Sequence, residues 1–268
     1  MNDYLQNTKE AFDSAAAGFD EDDFKNPILQ WMRSVVYKIY LENFKKGDRL
    51  LELNSGTGID AFFLAQKGIK VYATDISPKM IERLETKVKS SGLNGSIDYE
   101  VKSFDRISEI SETDFDGVIS NFGGLNCISD FSKLSQDLHT KLKPNGKIIA
   151  AVINKICLWE IFFYLLKFKP GIAFRRFGKN GIDANLNGGK VKTFYFTPKE
   201  FGKFFEPSFK TEKIYSHGCF TPPPYLTGFY NKLKPLVKLL MKIDEFTKGI
   251  FPINRLGDHF IIILNKRY

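Results

Sequence analysis

The apolar run from Arg49 to Leu53 stops at two glycines spaced one apart, Gly56 and Gly58, and an apolar-periodic segment follows with Ala61, Phe62, Leu64 and Ala65. A second apolar run, Val71-Tyr72-Ala73-Thr74, ends on the carboxylate of Asp75. This order of run, turn, periodic segment and run predicts a strand, a helix and a second strand, which make a βαβ unit. Glycine admits positive φ and lets a ligand come close to the backbone. The helix behind the turn aims free N–H groups and the positive end of its dipole at whatever binds. Asp75, at the carboxyl end of the second strand, can accept two hydrogen bonds from a ribose diol. The unit therefore points to an adenosine-type cofactor.

The same alternation of periods continues on both sides. Asn26-Pro27-Ile28 opens a helix to about Phe44, with Trp31, Val35, Val36, Ile39 and Tyr40 as apolar positions and Pro in the first turn. Ser77-Pro78 caps the next helix, whose buried face is Met80, Ile81 and Leu84. Strands follow at 96–102, within 115–128 as a fourth strand and its loop and, after a helix at 132–143 and a turn at 143–147, at 148–153. Beyond them lie an aromatic helix from Leu158 to Leu166, a glycine- and asparagine-rich loop from Gly178 to Gly189, and a strand from Val191 to Phe196. Thr197 caps a further helix, a sixth strand spans 209–216, a helix spans 230–248 and a last strand spans 259–264. Strands alternating with helices predict an α/β fold.

Two cofactors compete for the glycine turn. Gly56-Thr57-Gly58-Ile59-Asp60-Ala61 fits the dinucleotide pattern, with Asp75 at about the twenty-residue offset expected for NAD. Against NAD stand Glu52 ahead of the loop, the Asp75-Ile76-Ser77-Pro78-Lys79-Met80 stretch, and the residues that precede the first strand. Glu52-Leu53-Asn54-Ser55-Gly56-Thr57-Gly58 resembles the first motif of the class I S-adenosylmethionine (SAM)-dependent methyltransferases, and Asp75 to Met80 resembles their D-x-S-x-x-M stretch. The family's first loop glycine is Asn54 here, a residue type that tolerates the left-handed region. The resemblance covers about residues 10–153 and the final strands. It implies a Rossmann-like, doubly wound, seven-stranded and mostly parallel sheet with an antiparallel last strand and helical lid insertions. The units it implies are an N-terminal arm plus core at 1–154, a lid insertion at 155–192, a return to the core at 193–217, a second insertion at 218–258 and the last strand at 259–268.

The implied cofactor is SAM, with S-adenosylhomocysteine as product and no metal. Its site would take Glu52, Asn54, Ser55, Gly56, Thr57, Gly58, Asp75, Ile76, Ser77 and Met80. Ser103-Phe104-Asp105, at the end of the third strand, would meet the adenine edge, and Asn121 and Phe122 would border the reacting methyl group. Ala11-Phe12-Asp13 to Phe19-Asp20 looks like the arm that closes over the cofactor in relatives, with Phe19 lining the site. Arg33 either reaches a cofactor carboxylate or stands exposed on its helix. Acceptor candidates are Asn126, Cys127, Trp159, Arg175, Arg176, Tyr195 and Tyr225. His217 and His259 end up on one rim if the last strand is antiparallel, and either could serve as a general base.

Charge narrows the acceptor. Residues 1–154 carry 19 Lys/Arg against 23 Asp/Glu, whereas residues 155–268 carry 20 against 8, a net of +12. The basic half suits an anionic acceptor or surface, and the helix at 230–248, with its lysines, suits peripheral membrane contact. The loop after the fourth strand is not the N/D-P-P-Y of base methylation, and no RNA-binding module is present, which argues against nucleic acid. A small or lipid-like acceptor is expected; the oligomeric state stays open. Three scattered cysteines and a polar N-terminus without a signal peptide suggest the cytoplasm.

Overall fold

The computed structural model describes residues 3–186 and 188–267; Met1, Asn2, Asn187 and Tyr268, within the N-terminus, the glycine-rich stretch and the last segment named above, lie outside the described residues. Helices α1 (Asp3–Ala15), α2 (Phe19–Lys25) and α3 (Pro27–Asn43) precede strand β1 (Arg49–Leu53). Then come α4 (Ile59–Gln66), β2 (Lys70–Asp75), α5 (Pro78–Ser91), β3 (Ile97–Val101), β4 (Phe115–Ser120), α6 (Ser132–Lys141) and β5 (Leu142–Ile153). The remainder is α7 (Leu158–Leu166), α8 (Pro170–Ala173), β6 (Ile182–Leu186), β7 (Gly189–Thr193), α9 (Pro198–Phe205), β8 (Phe209–His217), α10 (Thr227–Lys232), α11 (Lys234–Thr247) and β9 (His259–Lys266).

Seven strands form one sheet in the order β3-β2-β1-β4-β5-β9-β8, and β9 alone runs opposite to the other six. The strand period of two sorts the core into two layers. Leu51, Val118, Ile148 and Phe260 face α6 and α9, while Leu50, Ile119, Ile149 and Ile261 face α3, α4 and α5. The first layer centres on Phe131, whose ring lies 5.0–5.7 Å from those of Phe196, Phe201, Phe204 and Phe205. Truncating such a ring to alanine costs about 3–5 kcal/mol. Chain order reverses between β1 and β4, so a crevice opens at their carboxyl ends, where open α/β sheets take ligands.

Three segments depart from the sequence expectation. The turn expected at 143–147 belongs to β5, which begins at Leu142 because Leu142 and Lys147 pair with Phe115 and Gly117 of β4 across an irregular register. The stretch read as a loop at 178–189 contains β6, which pairs with β7 in register from Ile182↔Thr193 to Leu186↔Gly189. Asn187-Gly188 between alternating residues is the hairpin signal, and glycine content masked it. The single helix expected at 230–248 is broken at Leu233. Pro235 lacks the N–H that a continuous helix would need and crowds the preceding turn.

Candidate functional site

The crevice holds a cavity of about 280 Å³. Its floor is the carboxyl ends of β1, β2 and β4, carrying Glu52, Asn54, Asp75, Asn121 and Phe122, with Asp60 from the first turn of α4. Lys102, Ser103 and Phe104 close one side. The roof is Leu5, Thr8 and Phe12 of α1, Phe19 of α2, and the β6–β7 hairpin through Leu186, Val191 and Thr193.

The β1–α4 turn works because Gly58 takes left-handed φ (+81°) as the helix N-cap, and a Cβ there would lie 2.7 Å from Leu84. Asn54 also sits at positive φ (50°), with its Nδ2 donating to the Asn121 carbonyl at 3.0 Å and its Oδ1 accepting from Ser120 Oγ. Gly124 makes room for it: a Cβ at that position would stand 2.1 Å from the Asn54 side chain. Asparagine thus replaces the family's glycine by being bonded into the left-handed region against a glycine across the crevice. Phe122 has positive φ too (48°), and strained non-glycine backbone of this kind gathers at functional sites.

Three buried carboxylates share the floor. Asp75 accepts from the amides of Gly56 and Ser77, at 2.8 Å each, one on each oxygen. Burial pushes its carboxyl up to about 6 despite those bonds. Asp60 accepts from Arg33, from Tyr37 at 3.0 Å and from Asn121 at 2.7 Å. Glu52 has Oε2 buried without a hydrogen-bond partner, and burial, then the nearby Asp60, raise its carboxyl well above the usual range. A buried acceptor without a donor, on a cavity wall, is a seat for a cationic or N–H group of a ligand.

Arg33 is neither exposed nor free. It is buried, donates to Asp23 of α2 at 2.6 Å and to Asp60, and lies 4.6 Å from the centre of the Phe122 ring. It joins the arm, the glycine turn and the end of β4. The arm is also held by Asp13, which accepts from Ser77 Oγ at 2.6 Å and the Lys79 amide at 3.2 Å, and by Asp20, which accepts from Thr57 Oγ1 and from Lys87 at 2.8 Å.

Among the expected cofactor residues, Phe19, Arg33, Glu52, Asn54, Ser55, Gly56, Asp75, Ile76, Ser103, Phe104, Asn121 and Phe122 line the cavity together. Thr57, Gly58, Ser77 and Met80 stand behind the wall as turn and cap: Ser77 Oγ accepts from the Met80 amide at 3.1 Å. Asp105 is exposed and turns to Ser103 Oγ.

The acceptor candidates divide. Cys127 lines the cavity, its thiol pushed up to about 12 by burial and by Asp75. Asn126 is buried and spent on backbone, donating to the Ile153 and Phe194 carbonyls and accepting from the Ile153 amide. The others form a second cluster away from the cavity wall. Glu160 accepts from Arg175, from Arg176 at 2.9 Å and from Tyr225 at 3.3 Å, and Arg176 also reaches Asp258 at 2.7 Å and lies over the Tyr195 ring. Trp159 donates to the Phe220 carbonyl and meets the Phe229 ring at 5.4 Å. His217 and His259 are register partners on β8 and β9, yet both are buried off the cavity. His217 stacks on Trp31 at 5.9 Å, and burial, then His259, lower it to about 3. His259 Nδ1 lies 3.0 Å from Asp258, which desolvation opposes but Arg176 and then His259 hold well below the usual carboxylate range.

Sequence reading missed Asp60, Leu5, Thr8, Leu186 and Val191. An acid in the first turn of the helix behind a glycine turn was a signal for Asp60; Leu186 and Val191 carry none, because the hairpin itself was not seen, and Leu5 and Thr8 lie on α1 ahead of the 11–20 stretch that marked the arm.

Residues 50–146 match the family described as methyltransferase domain. Over 158 residues the chain is 32% identical to the ubiquinone/menaquinone biosynthesis C-methyltransferase UbiE of Geobacter, covering 55% of this chain and 65% of that one. It is 25% identical over 199 residues to a demethylmenaquinone methyltransferase of Leptospira interrogans, covering 71% and 75%. The chain spans just under two thirds of the Geobacter protein and 41% of an uncharacterised Haemophilus influenzae protein to which it is 33% identical over 106 residues. In fold it is similar to a SAM-dependent methyltransferase structure from Methanosarcina mazei, with a TM-score of 0.59, 19% identity and coverage of 86% and 97%.

Proposed function

From a chain that carries a methyltransferase domain of the class I SAM-dependent kind, we propose an enzyme that methylates a small, apolar, quinone- or lipid-like acceptor in the cytoplasm or at its membrane face. The observation that carries this reading is the unlike make-up of one cavity. Its floor offers fixed carboxylates, and its roof offers leucine, phenylalanine, valine and a neutral thiol. The names of the Geobacter and Leptospira relatives support a quinone-type ring, methylated at carbon.

The floor fits SAM. Glu52, whose Oε2 lacks a donor, would hold its ammonium, and Asp75 would hold the ribose diol. Phe104 and Ser103 would border the adenine, and Asn121 and Phe122 the methyl-bearing end. When bound, SAM supplies a methyl group already activated on a sulfonium. The chain's share of the work is then alignment and exclusion of water. The roof keeps water out: α1 packs on the hairpin through Ala11 and Val191, and Phe19 covers Gly56. Cys127 stays protonated near neutral pH and serves as wall, not nucleophile. With both histidines buried off the cavity, the acceptor must bring its own electron-rich carbon or an acidic hydroxyl, as a hydroquinone does.

A second reading has one observation behind it. Asn54 occupies space that the family's glycine leaves open, which suits a protein that binds the cofactor without methyl transfer. Thermal unfolding with S-adenosylhomocysteine, SAM and NAD in parallel tests both. At a hundred times the dissociation constant a ligand stabilises by about 2.7 kcal/mol. A shift with the sulfur compounds, followed by transfer of labelled methyl from SAM to a demethylated quinol, is the expected result. A shift with NAD alone overturns the main reading, and a shift without transfer to any phenolic or lipid acceptor favours the second.

A further inference from the structure

The two insertions carry apolar side chains that stand exposed. Helix α7 ends in a turn where the Phe168 amide donates to the Leu165 carbonyl and the Lys169 amide to the Tyr164 carbonyl, at 2.9 Å each. This is the helix-terminating motif whose left-handed residue is ordinarily glycine. Here that residue is Phe168, at φ 54° and 93% exposed. Both the backbone strain and the exposed ring work against the isolated fold. Phe162 and Leu166 stand exposed on the same helix, and Lys167 and Lys169 flank the phenylalanine.

Helix α11 repeats the pattern over a longer stretch. It packs inward through Val237, Met241 and Asp244. Leu236, Leu239, Ile243 and Phe246, spaced three, four and three apart, form another stripe on a different face. Three of these four are exposed, Phe246 at 84%. Lys234, Lys238 and Lys242, at four-residue spacing, run beside it and are exposed. The helix's own acids are occupied elsewhere. Asp244 accepts from the amides of Cys219, Phe220 and Thr221, and Glu245 accepts from Trp31 and Lys38. The insertions are joined where Trp159 of α7 meets Phe229 of α10 and bonds the Phe220 carbonyl.

We propose that α11 and the α7 terminus dock on the headgroup region of a bilayer containing anionic lipid. Charge complementarity selects this occupant. A second copy of the chain would bring lysines against lysines, whereas phosphate headgroups pair with them while leucine and phenylalanine enter the acyl boundary. No helix among the described residues is long and apolar enough to cross a membrane, so the contact is with the surface. Docking needs neither cofactor nor acceptor, and its failure is separable from failure of the methyl-transfer reading.

The full chain is sedimented with vesicles of phosphatidylcholine alone and of phosphatidylcholine with phosphatidylglycerol. Binding to the anionic vesicles that weakens with salt is expected. Replacing Lys234, Lys238 and Lys242 with Gln should reduce it by roughly a hundredfold, at about 1 kcal/mol for each lysine near an anionic surface. Phe168→Gly should weaken binding severalfold while the melting temperature holds or rises, since glycine relieves the strained turn; a purely structural phenylalanine would lower both. Absence of vesicle binding overturns the proposal, as does binding equal on neutral and anionic vesicles. Concentration-dependent dimers abolished by Phe246→Asp, with no vesicle binding, assign the stripe to a second copy instead, and salt-sensitive retention of RNA without vesicle binding assigns it to nucleic acid.

Discussion

The floor of the cavity carries three carboxylates, each placed by a strand end or a helix terminus, and an arginine from the middle of α3, whereas its roof carries mostly apolar side chains on two helices and a hairpin. The floor is built on the sheet and the helices behind it, and apart from Glu52 Oε2 its carboxylates are bonded to other side chains and to backbone. The roof is held to it by a few side-chain contacts from Asp13, Asp20 and Asp23. A rigid polar floor suits a ligand of fixed chemistry, and an apolar roof on tethered elements suits one selected by shape. Changes to the floor should therefore alter stability and donor affinity, while changes to the roof should alter acceptor use and exchange rates.

The largest effect is expected where floor and roof meet. Arg33→Met leaves Asp23 and Asp60 as buried carboxylates without their cation, a loss of about 3–5 kcal/mol. Chemical denaturation reads it, and Asp60→Asn in the same chain should return part of the loss. Without recovery, the arginine is acting through packing on Phe122 alone. Next comes Glu52→Gln. Burial raises the Glu52 carboxyl and favours its neutral form, whereas a bound cation favours the charged form, so binding should release protons, measurable by calorimetry in buffers of different ionisation enthalpy. The substitution should leave the unliganded fold as stable or more so, and weaken S-adenosylhomocysteine by about 1.5–3 kcal/mol, the worth of a hydrogen bond to a charged group. A loss of both would make Glu52 a structural residue.

Asp75 gives the floor a pH dependence of definite sign. Its carboxyl titrates near 6 in the fold against an ordinary 3.8. Protonation removes an acceptor from the diol seat, so donor affinity should fall as pH drops below about 6, by at most about tenfold per unit. The same shift means that the folded chain binds this proton more tightly than the unfolded one. For this group alone, stability of the unliganded protein rises as pH falls from about 6 towards 3.8. Affinity and stability should move in opposite directions, and Asp75→Asn should flatten both. In the roof, Leu186→Ala removes three carbons and should lower kcat/KM for the acceptor by up to about sixtyfold, at roughly 0.8 kcal/mol per carbon, while S-adenosylhomocysteine affinity stays within twofold. Equal losses in both would erase the distinction between floor and roof.

The unequal legibility of these regions has the same origin. Glu52, the glycine turn and Asp75 fall within one βαβ unit, so spacing along the chain already places them in space. Arg33 could not be read as buried, because its burial depends on Asp23 and Asp60 converging from two other elements. The two histidines do share one rim, as the register of His217 with His259 shows, but neither borders the cavity. Which way the rings turn depends on Trp31 and Asp258, which spacing does not report. Arg175, Arg176 and Tyr225 were read as acceptor residues from charge and aromaticity. Glu160, an acid inside an apolar helix, was the sign that they had a partner nearer by.

The smallest effect tests the tether. Asp20 receives Thr57 Oγ1 from the glycine turn and Lys87 from α5, and both acid and lysine are partly exposed. Asp20→Asn keeps an acceptor for the threonine and gives up the ion pair, a loss of about 0.2–1 kcal/mol at such a site. That is too little to unfold α2, which Arg33 also holds through Asp23. It is enough to shift the balance between a seated and a lifted arm. Phe19, which covers Gly56, would then leave the floor more often, so S-adenosylhomocysteine should both enter and leave up to about fivefold faster while its dissociation constant changes little. Stopped-flow binding separates the rates. An unchanged association rate would show that ligand reaches the floor without the arm lifting. The hairpin would then be the element that opens, and Leu186 and Val191 would be the contacts to loosen next.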